Sequence, residues 1–136
     1  MSAIHSRASP VDLRGAETAG AGLRAFFRIA EAWRLDTREQ MALLGISSRT
    51  TLSAWRRGEV SALNRDTLER LSYIFGIYAA LQILLPTAEA ADEWIRKPND
   101  APLFGGRSAL ERLRAGNMAD LFLVRQYLDA QRGGWS

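Results

Sequence analysis

The sequence predicts an all-α protein of about seven helices, and three observations lead to that prediction. Apolar residues recur at spacings of three and four from residue 22 onward, which is the periodicity of an amphipathic helix. No stretch of useful length alternates with a period of two, and no Asn-Gly or Asp-Gly hairpin turn occurs. Candidate N-cap residues, glycines and prolines separate the periodic segments into short units, as they do in compact helical bundles.

The N-terminal part of the chain divides into a tail and a first helix. Residues 1–21 are rich in Ala, Gly and Ser and lack periodicity, so they are predicted to form a disordered tail. A first helix is predicted over residues 22–34, where apolar side chains from Leu23 to Trp33 share one side.

A short second helix is predicted to open at a capping box. Thr37 with Gln40 has the required spacing, and Asp36 with Glu39 offers the same spacing in a second register. The helix is predicted to stop at Gly45, because a glycine just beyond a helix accepts the left-handed backbone conformation.

The later elements are predicted from their end signals. Asn64 is placed to cap a long helix over residues 65–85, which Pro86 ends. The Pro- and Gly-rich segment RKPNDAPLFGG contains two apolar anchors, Leu103 and Phe104. Further helices are predicted over residues 88–96, 109–115 and 118–131.

Residues 36–58, DTREQMALLGISSRTTLSAWRRG, are predicted to form a helix-turn-helix. Gly45 makes the turn, and Ile46, Leu52 and Trp55 pin the second helix to the first. No acidic residue stands between Ser47 and Gly58, so the outward face is left to hydroxyls and guanidinium groups. The predicted DNA-binding residues are Arg49, Thr50, Thr51, Ser53, Arg56 and Arg57.

Such a face suits the major groove of DNA. Arginine can read guanine through O6 and N7, and hydroxyls and further arginines can reach phosphates. Residues 1–76 hold 11 Lys and Arg against 8 Asp and Glu, whereas residues 77–136 hold 7 of each, so the excess positive charge lies in the half with this helix. The alternative interpretation is an ordinary solvated helix with three arginines.

Composition argues against several classes of function. The chain has no cysteine, and its one histidine, His5, falls in the predicted tail, so neither a zinc site nor imidazole or thiol catalysis is expected. An enzyme, a metal and a cofactor are therefore not predicted. The first 22 residues lack the apolar core of a signal peptide, and the apolar run from Tyr73 to Leu85 is too short to span a bilayer, so a cytoplasmic protein is predicted.

Residues 22–136 resemble the antitoxins of the Xre/MbcA/ParS family, which pair with RES-domain toxins. The residues that carry the resemblance are LGISSRTTLSAWRRG (44–58), RDTLERLSYIFGIYAAL (65–81), PNDAPLFGGRSALERLRAG (98–116) and VRQYLDAQRGGWS (124–136). The resemblance implies an Xre-like helix-turn-helix DNA-binding region over residues 22–76, packed with a small helical toxin-binding domain over residues 77–136.

The resemblance also implies two activities for one chain. The helix-turn-helix would bind an operator and repress the antitoxin's own operon, and a homodimer is expected because two half-sites need two recognition helices. The C-terminal domain would block the active site of a RES-domain toxin that degrades NAD. The implied toxin-binding residues are Arg125, Arg132, Gly133, Gly134 and Trp135, and Arg107 in the loop before the helix at 109–115 is a further candidate for contact with the toxin.

Several alternatives stay open at the level of sequence. Gly45 and Trp55 are one residue further apart than in the common Xre motif, so either the turn is longer or the second helix starts near Thr50. Trp135 could fill a partner's pocket or fold back on its own domain. LFGGRSALERL could hold a phosphate, although a tight loop with Leu103 and Phe104 in the core and Ser108 as a helix cap is favoured. The protein as a whole could also be a stand-alone transcriptional regulator with a C-terminal dimerisation domain, or a protein-interaction module that never meets DNA.

Overall fold

The computed structural model describes the backbone of residues 5–133 and the side chains of residues 15–133. Within that range the all-α prediction is confirmed, since seven α-helices form and the only β pairing is an isolated bridge between Pro98 and Ser108. In chain order the helices are α1 (His5–Ala32), α2 (Thr37–Leu44), α3 (Arg49–Arg56), α4 (Arg65–Leu84), α5 (Ala88–Trp94), α6 (Ala109–Leu113) and α7 (Met118–Gly133).

The prediction of a disordered tail over residues 1–21 is wrong for residues 5–21, because α1 begins at His5. Small residues pack where the predicted tail meets the predicted first helix, and a search for large apolar side chains overlooks them. Ala19 is buried, and a Cβ built on Gly22 would lie 3.6 Å from a methyl group of Leu71. The lack of bulk at these positions brings α1 close to α4.

The two ends of α2 are both fixed by local hydrogen bonds. The capping box uses the second predicted register: the Glu39 amide donates to Asp36 Oδ1 at 2.7 Å, and the Asp36 amide donates to Glu39 Oε1 at 2.9 Å. At the other end Gly45 adopts φ 74°, and the Ile46 amide donates to the carbonyl of Met41. The α3 helix then begins at Arg49.

A buried arginine lies directly under this turn. Arg70 of α4 donates from Nη1 to the carbonyl of Ala42 at 3.1 Å and from Nε to Asp66 at 2.8 Å. A Cβ on Gly45 would lie 2.5 Å from Arg70 Nε, so the absence of a side chain makes room for the guanidinium. The turn between α2 and α3 is therefore held against α4.

The helix α4 connects the two halves of the chain. Asn64 caps it as predicted, accepting from the Thr67 amide at 2.8 Å. It contacts α1, α2, α5 and α7, and it runs without interruption across the predicted boundary between residues 76 and 77. Its fully buried side chains include Ile74 and Ile77, which lie in one continuous core with residues of both halves.

The loop between α5 and α6 has the structural role that the sequence favoured. Phe104 is buried and its ring centroid lies 5.8 Å from that of Trp94 and 5.3 Å from that of Tyr127. Ser108 and Glu111 form a capping box at the start of α6. The backbone of Asn99 and Arg107 pairs across the loop and closes it.

The C-terminal end of α1 depends on a residue from the second half of the chain. Arg34, just beyond α1, adopts the left-handed conformation with φ 56°, which costs about 1–2 kcal/mol for a residue with a Cβ. Arg96 donates from Nε to the carbonyl of Trp33 at 2.9 Å and from Nη2 to the carbonyl of Arg34. These bonds satisfy carbonyl groups that the helix leaves unpaired.

Two glycines with similar backbones provide a matched test of the turn. Gly45→Ala is expected to lower the free energy of unfolding by roughly 2–4 kcal/mol, because it adds displacement of Arg70 from a buried carbonyl to the cost of a left-handed alanine. Gly58→Ala is expected to cost about 1 kcal/mol, since φ is 87° there but no atom lies within 4 Å of the new Cβ. Urea denaturation of both variants would measure the difference in the free energy of unfolding. Equal decreases in the two variants would show that the position of Arg70 does not require glycine at residue 45.

Candidate DNA-binding helix and C-terminal surface

The α3 helix is anchored from behind and exposed in front. Ser48 caps it by accepting from the Thr51 amide at 3.1 Å. On the inner side Leu52 is 3% exposed, and Trp55 is half-buried and packs against the core. Of the six residues predicted to bind DNA, Thr51 is half-buried and five are exposed: Arg49, Thr50, Ser53, Arg56 and Arg57.

Three of the exposed residues present unengaged side chains. Within residues 15–133, the side chains of Arg49, Thr50 and Ser53 make no hydrogen bond and no ion pair. Arg49 and Thr50 lie in the first turn of α3, where the unpaired amides of the helix start also favour an anion, and Ser53 follows in the second turn. This end of α3 therefore offers one guanidinium and two hydroxyl groups to an incoming ligand.

Arg57 has an acidic neighbour that the sequence analysis did not weigh. Its Nε donates to Glu59 Oε2 at 3.0 Å and its Nη2 to Oε1 at 3.2 Å, in a two-pronged contact that is exposed to solvent. The hydrogen bond, followed by the charge attraction, lowers the pKa of Glu59 and raises that of Arg57. The carboxylate stays ionised at neutral pH, so a phosphate must compete with Glu59 for Arg57.

Arg56 is turned toward α1 and away from the outer face of α3. Its Nη2 donates to Gln40 Oε1 at 2.6 Å, and its guanidinium lies 4.7 Å from the centre of the Phe27 ring. Gln40 is itself fixed by donating to the carbonyl of Leu35 at 2.9 Å. The spacing of Gln40 from Thr37 indicates a capping residue. Its role in orienting Arg56, which lies 16 positions away, becomes visible only in the structure.

Five of the six predicted toxin-binding residues fall into three groups. Arg107, in the loop before α6, and Arg132, at the end of α7, are exposed. Gly133 is the last residue of α7. Gly134 and Trp135 lie outside the described residues.

Arg125 is engaged by the protein itself. Its Nη1 donates to the carbonyl of Ser72 at 3.2 Å, and its Nε lies 3.5 Å from Asp129. The guanidinium crosses α4 at Gly76, where a Cβ would approach it to 2.4 Å. Arg125 thus fastens α7 to α4. The positions of Arg125 and Gly76 in the sequence do not reveal this contact.

The described residues do not point to a metal site or a membrane segment. Among residues 15–133 there is no group of His, Cys, Asp and Glu side chains that could hold a metal ion. No helix within the described range is long and apolar enough to cross a bilayer.

Comparison with known proteins assigns both halves of the chain. Residues 12–76 match the antitoxin Xre-like helix-turn-helix domain, and residues 80–134 match the antitoxin Xre/MbcA/ParS C-terminal toxin-binding domain. An uncharacterized protein of Sinorhizobium fredii (strain NBRC 101917 / NGR234), y4oB, is 51% identical over 114 residues, covering 84% of this chain and 86% of that protein. No solved structure gave a significant match. Because the two domain matches follow one another along the chain and together cover most of it, the chain belongs to the Xre/MbcA/ParS family of antitoxins.

Proposed function

We propose that this antitoxin acts in the cytoplasm against a RES-domain toxin that degrades NAD, and that it represses its own operon as a homodimer. The observation that carries the proposal is the presence of a helix-turn-helix and a toxin-binding domain on one chain. Inhibition and repression would then use different surfaces of the same molecule, α3 for the operator and the C-terminal end for the toxin.

The chemistry of α3 supports the DNA-binding half of the proposal. Arg49, Thr50 and Ser53 carry no internal partner within residues 15–133, and each can donate to a phosphate or a base edge. Leu52 and Trp55 fix the backbone of the helix against the core, so only the outward side chains have to become ordered on binding.

Exposure and charge support the toxin-binding half. Arg107 and Arg132 are exposed cations on the C-terminal half, and neither makes an ion pair within the described residues. The last residues of the chain add Trp135, whose large apolar surface would be favourably buried in a partner's pocket. We propose that these residues, with Gly133 and Gly134, contact the toxin near its active site.

A second function remains worth testing because of exposed apolar groups on the C-terminal half. Ile83 of α4 is 62% exposed and Phe122 of α7 is 44% exposed. If they serve only to pair two copies, the protein is a stand-alone regulator with a C-terminal dimerisation domain. Co-expression with the adjacent open reading frame distinguishes the two functions, because an antitoxin is expected to restore growth and to co-purify with the product of that frame.

Removal of residues 132–136 is expected to abolish toxin neutralisation while leaving DNA binding intact. The deletion takes away a cation and an indole that are proposed to contact the toxin, and it leaves every residue of the helix-turn-helix in place. Growth and cellular NAD after toxin induction measure neutralisation, and a gel-shift assay with the upstream DNA measures the other activity. Continued neutralisation by the shortened chain would contradict the assignment of the toxin contact to these residues.

Arg57 and Glu59 are expected to affect operator binding in opposite directions. Arg57→Ala should weaken binding roughly 5- to 10-fold by removing a phosphate contact, and Glu59→Gln should tighten it by freeing the guanidinium. Toxin neutralisation should not change in either variant.

Glu89→Gln is the control for the second change, because it removes one exposed negative charge from α5 at a residue without an ion pair in the described range. Fluorescence anisotropy with labelled upstream DNA gives the dissociation constants. If Glu59→Gln and Glu89→Gln bind equally well, Arg57 does not face the DNA.

A further inference from the structure

A basic groove lies between α1 and the C-terminal end of α3. Its volume is about 650 Å³, and it is broadly open to solvent. Its wall contains four arginines, Arg24 and Arg28 from α1, Arg34 from the end of that helix, and Arg56 from α3. The groove takes only Arg56 from α3 and is built mainly from α1.

The positive charge of the groove is poorly balanced by the protein. Glu31 is the one carboxylate in its wall, and Arg34 is paired with Glu93 at 2.9 Å. Within residues 15–133, neither Arg24 nor Arg28 makes an ion pair. These two stand four residues apart on α1, where like charges repel and destabilise a helix by about 0.2–0.5 kcal/mol.

Arg56 is held in place by groups that leave its charge intact. Gln40 accepts its hydrogen bond as a neutral amide, and the guanidinium carbon lies over the Phe27 ring. Arg57 and Arg70 differ in this respect, because each is paired with a carboxylate, Glu59 and Asp66 respectively. The side chain of Arg56 is thus oriented toward the groove without being neutralised.

We infer that this groove binds a phosphate of the DNA backbone alongside α3, through Arg24, Arg28 and Arg56. The inference rests on the proposed DNA-binding function and adds α1 to its surface. Guanidinium groups bind phosphate oxygens in a forked geometry, and α3 contacts α1, so a strand passing the end of α3 meets the groove next. Arg56 then contributes to affinity for any DNA sequence and does not read bases.

The test compares variants of the groove with a control variant outside it, and each variant removes one positive charge. Arg28→Gln should weaken binding of the full-length protein to its upstream DNA by roughly 5- to 10-fold and lower the salt slope by about one. Lys97→Gln is the matched control, because Lys97 is exposed in the loop after α5 and has no ion pair in the described range. Arg24→Gln provides a second, independent variant of the groove, and thermal unfolding followed by circular dichroism establishes that each variant is folded.

The readout separates failure of this inference from failure of the proposed function. If the unaltered protein does not bind its upstream DNA, DNA binding itself is refuted. If it binds, and both groove variants match Lys97→Gln in affinity and salt slope, the groove does not hold a phosphate. A loss of affinity for the upstream DNA without a comparable loss for unrelated DNA would also overturn the inference, because a phosphate contact weakens binding to both.

Discussion

The contact between Arg70 and the turn after α2 determines where α3 lies. The guanidinium is largely buried, and burial of a charge is unfavourable unless that charge is paired and hydrogen-bonded. Asp66 supplies the charge, and the carbonyl of Ala42 supplies an acceptor at the end of α2. Gly45 is the partner that makes this possible, because a side chain there would occupy the volume of the guanidinium. The position of α3 relative to α4 therefore depends on one cation and one missing methyl group.

The helix α4 is shared by the two halves of the chain and holds them together. Its N-terminal half supports the helix-turn-helix through Arg70, and its middle receives Arg125 of α7 at Gly76. In both places an arginine from one helix crosses a glycine and ends on a backbone carbonyl. Guanidinium groups suit this role because their donors are several and fixed in direction.

The sequence predicted the features that depend on local spacing and missed those that depend on long-range contacts. Helix caps at Asn64 and Ser108 and the buried side of α3 at Leu52 follow from neighbours a few positions away. The start of α1 cannot be predicted from apolar periodicity, because Ala19 is buried through a small side chain and an Ala- and Gly-rich composition is typical of disorder.

The candidate site shows the same division. The exposed residues of α3 could be named from helical periodicity, but the orientation of Arg56 could not, since Gln40 and Phe27 come from two other helices. The pairing of Arg57 with Glu59 was within reach of sequence reasoning, because only one residue separates them. Glu59 lies one residue beyond the acid-free segment from Ser47 to Gly58, so the absence of acidic residues within that segment does not reveal the pair.

The contact of Arg96 with the end of α1 bears on how the chain can be divided. The carbonyls of Trp33 and Arg34 receive their hydrogen bonds from beyond α5, so a fragment that ends with α4 would leave them without these donors. Such a fragment would also lose Ile95, Leu121 and Val124 from the core that both halves share. We expect the excised N-terminal half to melt non-cooperatively, because the helix-turn-helix is a region of one folding unit and not an autonomous module.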